Sequence, residues 1–291
     1  MLTVAFATCA ALPEGRSDDR LSANLVGAEF VVWEDPAVDW EAYDRVVIRS
    51  VWDYTAKYER FLTWSAAVGA ERLRNSPELV AFNSDKRYLA QLSVPTITTT
   101  FLPPGRELEP YLNEIVVKPN ISAGGRDTGR FEPSAYDQAA ELVDRIQAGG
   151  RTALVQPYLA SVDHHGERAV VFCGGAFSHA LHKKAVLREA GIAPLAQLGH
   201  GEPADHAPAA AMLDDDLVTI STASSPELRL AAAAHAQITA RFGQPLYLRV
   251  DMVMSAEGHP VVMELEAIEP SLYLDLDRAA AGRFAEAILT A

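Results

Sequence analysis

Cysteine is scarce, since the 291-residue sequence contains only Cys9 and Cys173. Both lie in apolar stretches typical of β-strands, and two such residues cannot supply the disulfide framework of a small secreted domain. We therefore expect neither a disulfide nor a nucleophilic cysteine. This usage is typical of a protein that works in the reducing cytoplasm.

Long hydrophobic runs are also missing. No apolar segment approaches the roughly 18–20 residues that a membrane-spanning helix needs, so we expect no membrane partner. The start of the chain is apolar but carries no basic leader. It is better explained as a buried first strand than as a signal peptide.

Positive charge is in deficit, because the formal net charge is −14. Such a surface repels phosphate backbones, so nucleic acid is not an expected partner, although a local basic pocket for a nucleotide remains compatible with it. Hydrophobic residues make up 49% of the chain, and glycine and proline are not in excess. This composition is typical of a globular protein of two or three structural units, and it leaves a homo-oligomer open.

The beginning of the chain indicates a β/α unit. We expect apolar strands at residues 3–8, 29–33 and 43–50, with helix-capping side chains from Ser17 onward. Open α/β sheets bind ligands at the carboxyl ends of their parallel strands, and the third strand ends in polar residues. This candidate ligand site contains Arg49, Ser50, Trp52, Asp53 and Tyr54.

Strands and turns alternate through the middle of the chain. We expect strands at 115–118, 153–156, 169–172 and 177–182, then a long mobile loop at 187–216 that is rich in Gly, Pro, Ala and His. A helix should run from Ser225 to Phe242, since proline follows its start and glycine its end. A hairpin of strands 247–254 and 261–265 and a last helix at 277–289 complete the expected elements.

Three acids of that hairpin are the sharpest functional candidates. Glu264 and Glu266 lie two positions apart on one strand, so they face the same side of the sheet, and Asp251 lies on the partner strand. Converging carboxylates repel each other unless a cation offsets their charge. Mg²⁺ bound by carboxylates and substrate phosphates would do so. The alternative, an exposed strand face with solvated acids, is disfavoured by the apolar residues around them.

A second candidate is a Ser/Gly-rich loop that follows Lys118 and contains Ser122, Gly124 and Gly125. Glycines let backbone N–H groups approach phosphates closely, and the lysine adds a point charge. The loop is not a Walker motif, because Arg130 stands where that motif requires lysine. A Gly-rich hairpin turn without a binding role is the alternative.

A third candidate is an apolar strand that ends in Gln156, Pro157, Tyr158 and Leu159, with Asp163 a few residues on. Such a strand end presents backbone groups to an adenine edge, and the proline breaks regular strand pairing. The acid suits the hydroxyls of a ribose. Read alone, however, this segment favours an edge strand and a turn.

Other charged and titratable residues carry weaker signals. Lys86 and Lys183 are suitably placed cations, although a single lysine is more often a solvated surface residue. The histidines do not indicate zinc, because their spacings match no compact ligand set with a companion cysteine or carboxylate. They include His164, His165, His179, His182, His200 and His206.

Taken in order, these elements resemble the ATP-grasp superfamily, in its glutathione-synthetase-like and RimK-like branch. The resemblance covers about residues 75–291 and is carried by five motifs. They are Asn83-Ser84-Asp85-Lys86; Val117-Lys118-Pro119 with the Ser/Gly loop; Val155-Gln156-Pro157-Tyr158-Leu159 with Asp163; Arg249-Val250-Asp251; and Glu264-Leu265-Glu266 with Glu269-Pro270-Ser271.

The resemblance implies an α/β (α+β) protein with the ATP-grasp fold. It implies an N-terminal β/α pre-ATP-grasp domain at residues 1–82 and an ATP-grasp region at 83–291. Within that region we expect a small mobile lid subdomain at about 95–157 and a C-terminal catalytic subdomain at about 158–291.

ATP and two Mg²⁺ ions are the cofactors that the resemblance implies. The implied metal ligands are Asp251, Glu264 and Glu266, and the implied catalytic residues are Lys183, at the γ-phosphate, and Arg249. The implied ATP-binding residues are Lys86, Lys118, Ser122, Gly124 and Gly125 at the phosphates, under a loop at 122–126 that closes as a lid, and Gln156, Pro157, Tyr158, Leu159 and Asp163 at the nucleoside.

Two residues depart from the family's pattern. Glu266 stands where the family usually has asparagine, and its extra charge should tighten metal binding without changing the reaction class. Gln156 stands where the family often has glutamate, and its amide can accept from the adenine amino group equally well.

The resemblance implies an ATP-dependent carbon–nitrogen ligase, which activates a small amino-acid-like carboxylate as an acyl phosphate for a nitrogen nucleophile. The chain looks like the small ATP-grasp ligases of antibiotic biosynthesis, in particular those that close O-ureido-serine into a ring. The expected substrate pocket contains Arg49, Trp52, Asp53, Arg249, Glu269 and Ser271, although core packing is an alternative role for Trp52. The competing functions are an intermolecular carboxylate–amine ligase, a phosphotransferase and a non-catalytic nucleotide-binding regulator.

Overall fold

The first sheet is parallel and has four strands. The computed structural model describes residues 2–187, 189–195 and 216–291. In it, strands β1 (Val4–Thr8), β2 (Glu29–Val32), β3 (Arg45–Ser50) and β4 (Leu73–Arg74) lie in the order β2-β1-β3-β4. The helices of this part are α1 (Arg20–Val26), α2 (Tyr58–Val68) and α3 (Pro77–Asn83).

Helices cover both faces of this sheet, which explains why β1 is buried along its whole length. Side chains alternate between faces along a strand. Phe6 accordingly packs in a cluster with Phe284 of the last helix, α7 (Arg278–Thr290), whereas Ala7 packs in a cluster with Phe61 of α2. The first sheet is therefore completed by the end of the chain.

The central sheet is antiparallel. Its strands are β9 (Glu167–Cys173), β10 (Ala176–Lys183), β12 (Val218–Ser221), β13 (Tyr247–Met254) and β14 (Pro260–Glu266), in the order β12-β10-β9-β13-β14. Helix α6 (Ser225–Phe242) packs on it through Leu230, Ala234 and Ile238. Ser224 and Glu227 form a capping box at its start, and Gly243 ends it with a φ of 81°.

The third sheet is also antiparallel and carries one helix. Its strands are β5 (Thr100–Leu102), β6 (Ile115–Pro119), β7 (Gly129–Phe131), β8 (Ala153–Pro157) and β11 (Gly191–Ile192), in the order β11-β7-β6-β8-β5. Helix α4 (Tyr136–Ala148) covers it through Leu142, Val143 and Ile146. A short helix, α5 (Ser161–His165), leads from this sheet to the central one.

The structure confirms the predicted α/β (α+β) fold class and differs from several expected elements. The expected alternation of strands and turns omitted α4, and no helix was expected at α2. Strand β11 lies inside the expected loop 187–216 and pairs with β7, so that part of the loop prediction is wrong. Residues 196–215 of that loop lie outside the described residues. The boundary between 1–82 and 83–291 remains a prediction. Helix α7, from the end of the chain, packs on the first sheet, and β11 joins the third sheet.

Two remaining expectations concern membrane-spanning helices and the two cysteines. No helix among the described residues is long and apolar enough to cross a membrane. Cys9 and Cys173 are free and buried. Burial raises the pKa of both thiols, to about 11 for Cys173, which keeps them protonated near neutral pH.

Candidate active site

A cavity of 510 Å³ opens between the three sheets, and most of the predicted site residues lie in its wall. The predicted residues that line it are Trp52, Lys86, Lys118, Ser122, Gly124, Gly125, Gln156, Pro157, Tyr158, Leu159, Lys183, Arg249, Asp251, Glu264, Glu266, Glu269 and Ser271. Arg49, Asp53 and Asp163 are predicted residues that do not line it. Motifs that are far apart in the sequence are thus brought to one place.

Asp251 is the most deeply buried of the three predicted metal ligands, with 1% of its surface exposed. Its two oxygens accept hydrogen bonds of 2.8 Å from Arg249 Nε and 2.8 Å from Lys183 Nζ. Burial alone would raise the pKa of Asp251, but Arg249 and Lys183 hold it well below its usual range. Asp251 is therefore an ionised carboxylate.

Glu264 and Glu266 lie on β14, opposite Asp251 and Arg249 of β13. Glu264 Oε1 is 3.1 Å from Lys86 Nζ, and Glu266 pairs with Arg249. Burial opposes ionisation of Glu264, but Lys86 and Lys118 lower its pKa. For Glu266, burial together with the charges of Asp251 and Glu264 outweighs Arg249 and raises the pKa to about 7.

The three acids do not form one ready-made metal cluster. Across the described ranges, no three His, Cys, Asp or Glu side chains stand together as ligands for one ion. The three carboxylates line the same cavity and repel one another, as expected, but Arg249 and Lys183 occupy both oxygens of Asp251. The contacts of Glu264 and Glu266 involve Oε1 of each. Mg²⁺ in proteins commonly binds one or two carboxylates together with phosphate oxygens. The carboxylates of Glu264 and Glu266 therefore still fit a magnesium ion.

Three buried lysines surround the acids. Lys183 is held between Asp251 and Glu167, whose Oε2 is 3.0 Å from its Nζ. Burial alone would lower its pKa, but these two acids raise it, so Lys183 stays charged. Lys118 is also buried, and burial lowers its pKa despite the nearby Glu264. The alternative of solvated surface lysines is therefore wrong for Lys86 and Lys183, which are 7% and 5% exposed.

The Ser/Gly loop connects β6 to β7 and lines the cavity at the same time. Gly124 and Gly125 have φ values of 62° and 72°, which side chains other than glycine rarely adopt. Lys86 Nζ donates to the carbonyl oxygen of Ser122 at 2.7 Å and so ties the loop to the acids. The loop is thus a hairpin turn whose backbone faces a lysine-rich cavity.

Gln156, Pro157, Tyr158 and Leu159, at the end of β8, also line the cavity. The Gln156 amide donates to Thr99 Oγ1 at 2.8 Å, which leaves its carbonyl oxygen to accept from a ligand. This is the hydrogen-bonding pattern that an adenine amino group requires.

Asp163 does not reach this wall. Its carboxylate accepts from the hydroxyl of Tyr158 and lies 3.4 Å from Arg130, whose guanidinium stacks 3.6 Å above the Tyr158 ring. In this structure Asp163 therefore fixes the position of Tyr158. Its assignment to the ribose stays a prediction, although Asp163 itself does not line the cavity and only its partner Tyr158 does.

Comparison with known proteins matches the chain along nearly its whole length. Residues 4–75 match the family model described as the N-terminal domain of D-cycloserine synthetase DcsG. The cycloserine biosynthesis protein DcsG of Streptomyces lavendulae is 36% identical over 280 residues, which cover 90% of this chain and 88% of that protein. The chain belongs to the DcsG family.

Solved structures agree with DcsG-family membership. The crystal structure of D-cycloserine synthetase DcsG matches with a TM-score of 0.85 and 34% identity over 99% of both chains. The D-alanine–D-alanine ligase of Bacillus anthracis, complexed with ATP, matches with a TM-score of 0.66 at 13% identity, covering 100% of this chain and 96% of that one.

A RimK-domain ATP-grasp protein of Sphaerobacter thermophilus matches with a TM-score of 0.61 at 16% identity, covering 99% of this chain and 100% of that one. The last two likenesses concern the fold alone. Together the matches confirm the ATP-grasp fold and an ATP-dependent carbon–nitrogen ligase, and they argue against a non-catalytic regulator.

In this DcsG-family chain the first unit contributes less to the cavity than predicted. Trp52 lines it, with the Arg16 guanidinium 5.0 Å above its ring, so core packing is not its role. Arg49 and Asp53 are instead buried in the protein. Arg49 Nε donates to Asp19 at 2.8 Å, and Asp53 accepts 2.8 Å from Trp33 Nε1. The assignment of Arg49 and Asp53 to the substrate pocket is corrected, because these partners turn them away from the cavity.

Two residues of the DcsG-family site were missed in the sequence. Glu167 begins β9 opposite Lys183 of β10 and pairs with it. The expected strand started two residues too late, although the alternation of Glu167 with Ala169 and Val171 marks one face of the strand. Arg16 lies in the loop after β1, where nothing in the local sequence indicates a contact with Trp52.

Proposed function

We propose that this chain closes O-ureido-serine into the cycloserine ring, using ATP and magnesium. The observation that carries the proposal is the charge pattern of one cavity, in which Lys86, Lys118 and Lys183 stand beside Asp251 and Glu264. Lysines and carboxylates in such alternation suit a polyphosphate with its metal ions. The cyclic product is supported by the likeness to DcsG, whose names identify it as a cycloserine synthetase.

ATP would lie along the length of the cavity. Lys86 and Lys118 would hold the α- and β-phosphates under the loop at residues 122–126, and Lys183 would contact the γ-phosphate. Gln156, Tyr158 and Leu159 would bind adenine. Each assignment is supported by cavity position, and for the lysines by burial next to acids that offset their charge.

Magnesium would be held by Glu264 and Glu266, and by Asp251 when Lys183 turns from it towards phosphate. When bound, two such ions supply charge neutralisation at the transferring phosphoryl group. The chain's own part is to position the reactants. Arg249 holds Asp251 and Glu266 in place, while Trp52, Glu269 and Ser271 border the space left for a small amino-acid-like substrate.

The reaction would proceed in two stages. A carboxylate oxygen of the substrate attacks the γ-phosphorus of ATP, and ADP leaves. The ring nitrogen then attacks the acyl phosphate, and orthophosphate leaves. Atom balance requires the carbamoyl group on that nitrogen to be lost afterwards, with water as co-reactant and carbon dioxide and ammonia as products. Positioning and charge stabilisation supply the acceleration, so no protein nucleophile is needed.

The experiment measures ADP release and the mass of the product with O-ureido-serine as the sole amine and carboxylate. We expect magnesium-dependent ADP release and a cyclic product. ADP release that requires a second amine would favour an intermolecular ligase and contradict ring closure. A stable phosphorylated product that gives no hydroxamate with hydroxylamine would indicate a phosphotransferase. We also propose a cytoplasmic setting, which the two unpaired buried thiols support.

A further inference from the structure

Glu269 differs from the other acids that line the interior of the cavity. Glu167, Asp251, Glu264 and Glu266 each pair with a lysine or an arginine. Within the described part of the chain, no Lys, Arg or His nitrogen lies within ion-pair distance of the Glu269 carboxylate, although the residue is half-buried in the same wall. Asp275 also lines the cavity but is exposed to solvent, so among the described residues Glu269 is the half-buried carboxylate of the wall that no cation of the protein neutralises.

The backbone around Glu269 is held by three buried side chains. The Tyr247 hydroxyl lies 2.7 Å from the carbonyl oxygens of both Ile268 and Ile48, which share its one proton, and Arg49 Nη2 donates to the Pro270 carbonyl at 2.9 Å. Arg249 Nη1 donates to the Ser271 carbonyl at 2.8 Å. Carbonyls on both sides of Glu269 are therefore fixed by donors that are themselves at most 2% exposed. Such preorganisation is typical of a group that must meet a reacting atom.

The surroundings of Glu269 also make it a stronger base than an ordinary carboxylate. Burial, the largest cause, raises the pKa of Glu269 above that of an ordinary carboxylate, whereas the further rise from the charges of Glu266 and Glu264 would be offset by bound magnesium. A general base is most effective when its pKa lies near the working pH.

We propose that Glu269 is the catalytic base that takes the proton from the attacking nitrogen during ring closure. This inference rests on the proposed function. The nitrogen lone pair forms the C–N bond at the acyl carbon, and the bond from that carbon to the phosphate-bearing oxygen breaks. Orthophosphate leaves with the electron pair, the N–H proton passes to Glu269, and solvent then takes it up. The other acids of the wall are less suited, because cations already hold them.

The two stages of the reaction should therefore separate in the Glu269→Gln variant. Glutamine keeps the size and polarity of the side chain but accepts no proton. We expect cyclic product to fall by about 10²–10⁴-fold, the usual contribution of general base catalysis. Hydroxamate formed from O-ureido-serine and ATP with added hydroxylamine should persist, because phosphoryl transfer precedes the step at Glu269. The exposed turn variant Glu257→Gln should change neither product.

Two results would overturn the inference. Undiminished ring formation in Glu269→Gln would show that the carboxylate is not the base. Parallel loss of hydroxamate and ring in a folded variant would show that Glu269 acts in binding or activation. If Glu269→Gln does not fold, Glu269→Asp serves instead, and it should keep hydroxamate formation while losing part of the ring closure; equal losses would contradict the inference.

The wild-type protein provides a separate control. Wild type that forms no hydroxamate from O-ureido-serine would contradict the proposed function itself, and the inference with it. If the wild type forms both hydroxamate and ring, and the Glu269→Gln variant does so equally well, the proposed function stands and only the role of Glu269 is contradicted.

Discussion

Buried lysines and acids that lie next to one another can all stay ionised, because each offsets the desolvation cost that a lone buried charge would carry. Lys183 between Asp251 and Glu167 is the clearest case, since each of the three side chains is at most 8% exposed. Asp251 lies in one of the five motifs, whereas Lys183 lies in none of them and was assigned to the site only because the family resemblance implies it. The sequence did not predict their direct contact, because the register between β10, β9 and β13 is a tertiary property.

Arg49 was assigned to the pocket wrongly because a helix covers the face of the strand on which it lies. Arg49 lies two positions after Val47 and so faces the same side of β3, which α7 covers. There its guanidinium lies over the rings of Tyr247 and Phe284. A single strand's sequence shows which residues share a face but not which helix will cover that face.

The role of the Glu264 carboxylate can be tested by a substitution that keeps its size. Glu264→Gln keeps the side-chain volume but removes the charge that would hold magnesium and that pairs with Lys86. We expect substrate-dependent ADP release to fall by at least about 10²-fold, because stabilisation of the transferring phosphoryl group is lost. The melting temperature should stay close to that of wild type.

Glu257→Gln, on the exposed turn between β13 and β14, is the matched control and should retain full activity. Full activity in Glu264→Gln as well would refute the assignment of Glu264 to the metal.

Elements were predicted best where capping or alternation is strong. Helix α6 has the expected proline at its start and glycine at its end, and the hairpin β13–β14 has the acids on partner strands as expected, with Asp251 opposite Glu264. Helix α4 was missed, although it carries a regular apolar face of Ala139, Leu142, Val143 and Ile146. Helical spacing shows only over several turns, whereas the strands on either side of α4 are short and alternate with turns.

The conformation of the Ser/Gly loop can be tested by adding a side chain to one of its glycines. Gly125 has a φ of 72° in the wall of the cavity, so Gly125→Ala strains the loop by about 1 kcal/mol. We expect the KM for ATP to rise about fivefold, since this strain opposes the closed loop. Steady-state kinetics with varied ATP measures it.

Gly105 is the matched control, because its φ is 86° and it lies in a turn away from the cavity with nothing within 4 Å of an added Cβ. Gly105→Ala should therefore leave the KM for ATP unchanged. Equal KM changes in both variants would contradict a phosphate-binding role for the loop.

The whole molecule brings the last helix back onto the first sheet. Phe284 of α7 is fully buried between Phe6 of β1 and Tyr247 of β13, so it connects the beginning, middle and end of the chain. The family resemblance implied a first domain made of residues 1–82, which does not include this helix. A long-range return of this kind is not visible in local patterns, whereas the family resemblance predicted the ATP-grasp fold correctly.

Phe284→Ala tests this connection. We expect the free energy of unfolding to fall by about 3–5 kcal/mol, because a large cavity would remain between two sheets. Urea denaturation measures it. Leu289→Ala on the same helix removes a side chain that is 47% exposed and should cost less than about 1 kcal/mol. Similar small costs for both variants would mean that α7 is not part of the core of the first sheet.

The fate of one oxygen atom tests the proposed chemistry most directly. O-ureido-serine labelled with ¹⁸O in its carboxylate is converted with ATP and magnesium, and the released orthophosphate is analysed by mass spectrometry. An acyl phosphate predicts one ¹⁸O in each phosphate, because the carboxylate oxygen that attacks phosphorus leaves with it when the ring closes. Unlabelled phosphate alongside cyclic product would contradict the account.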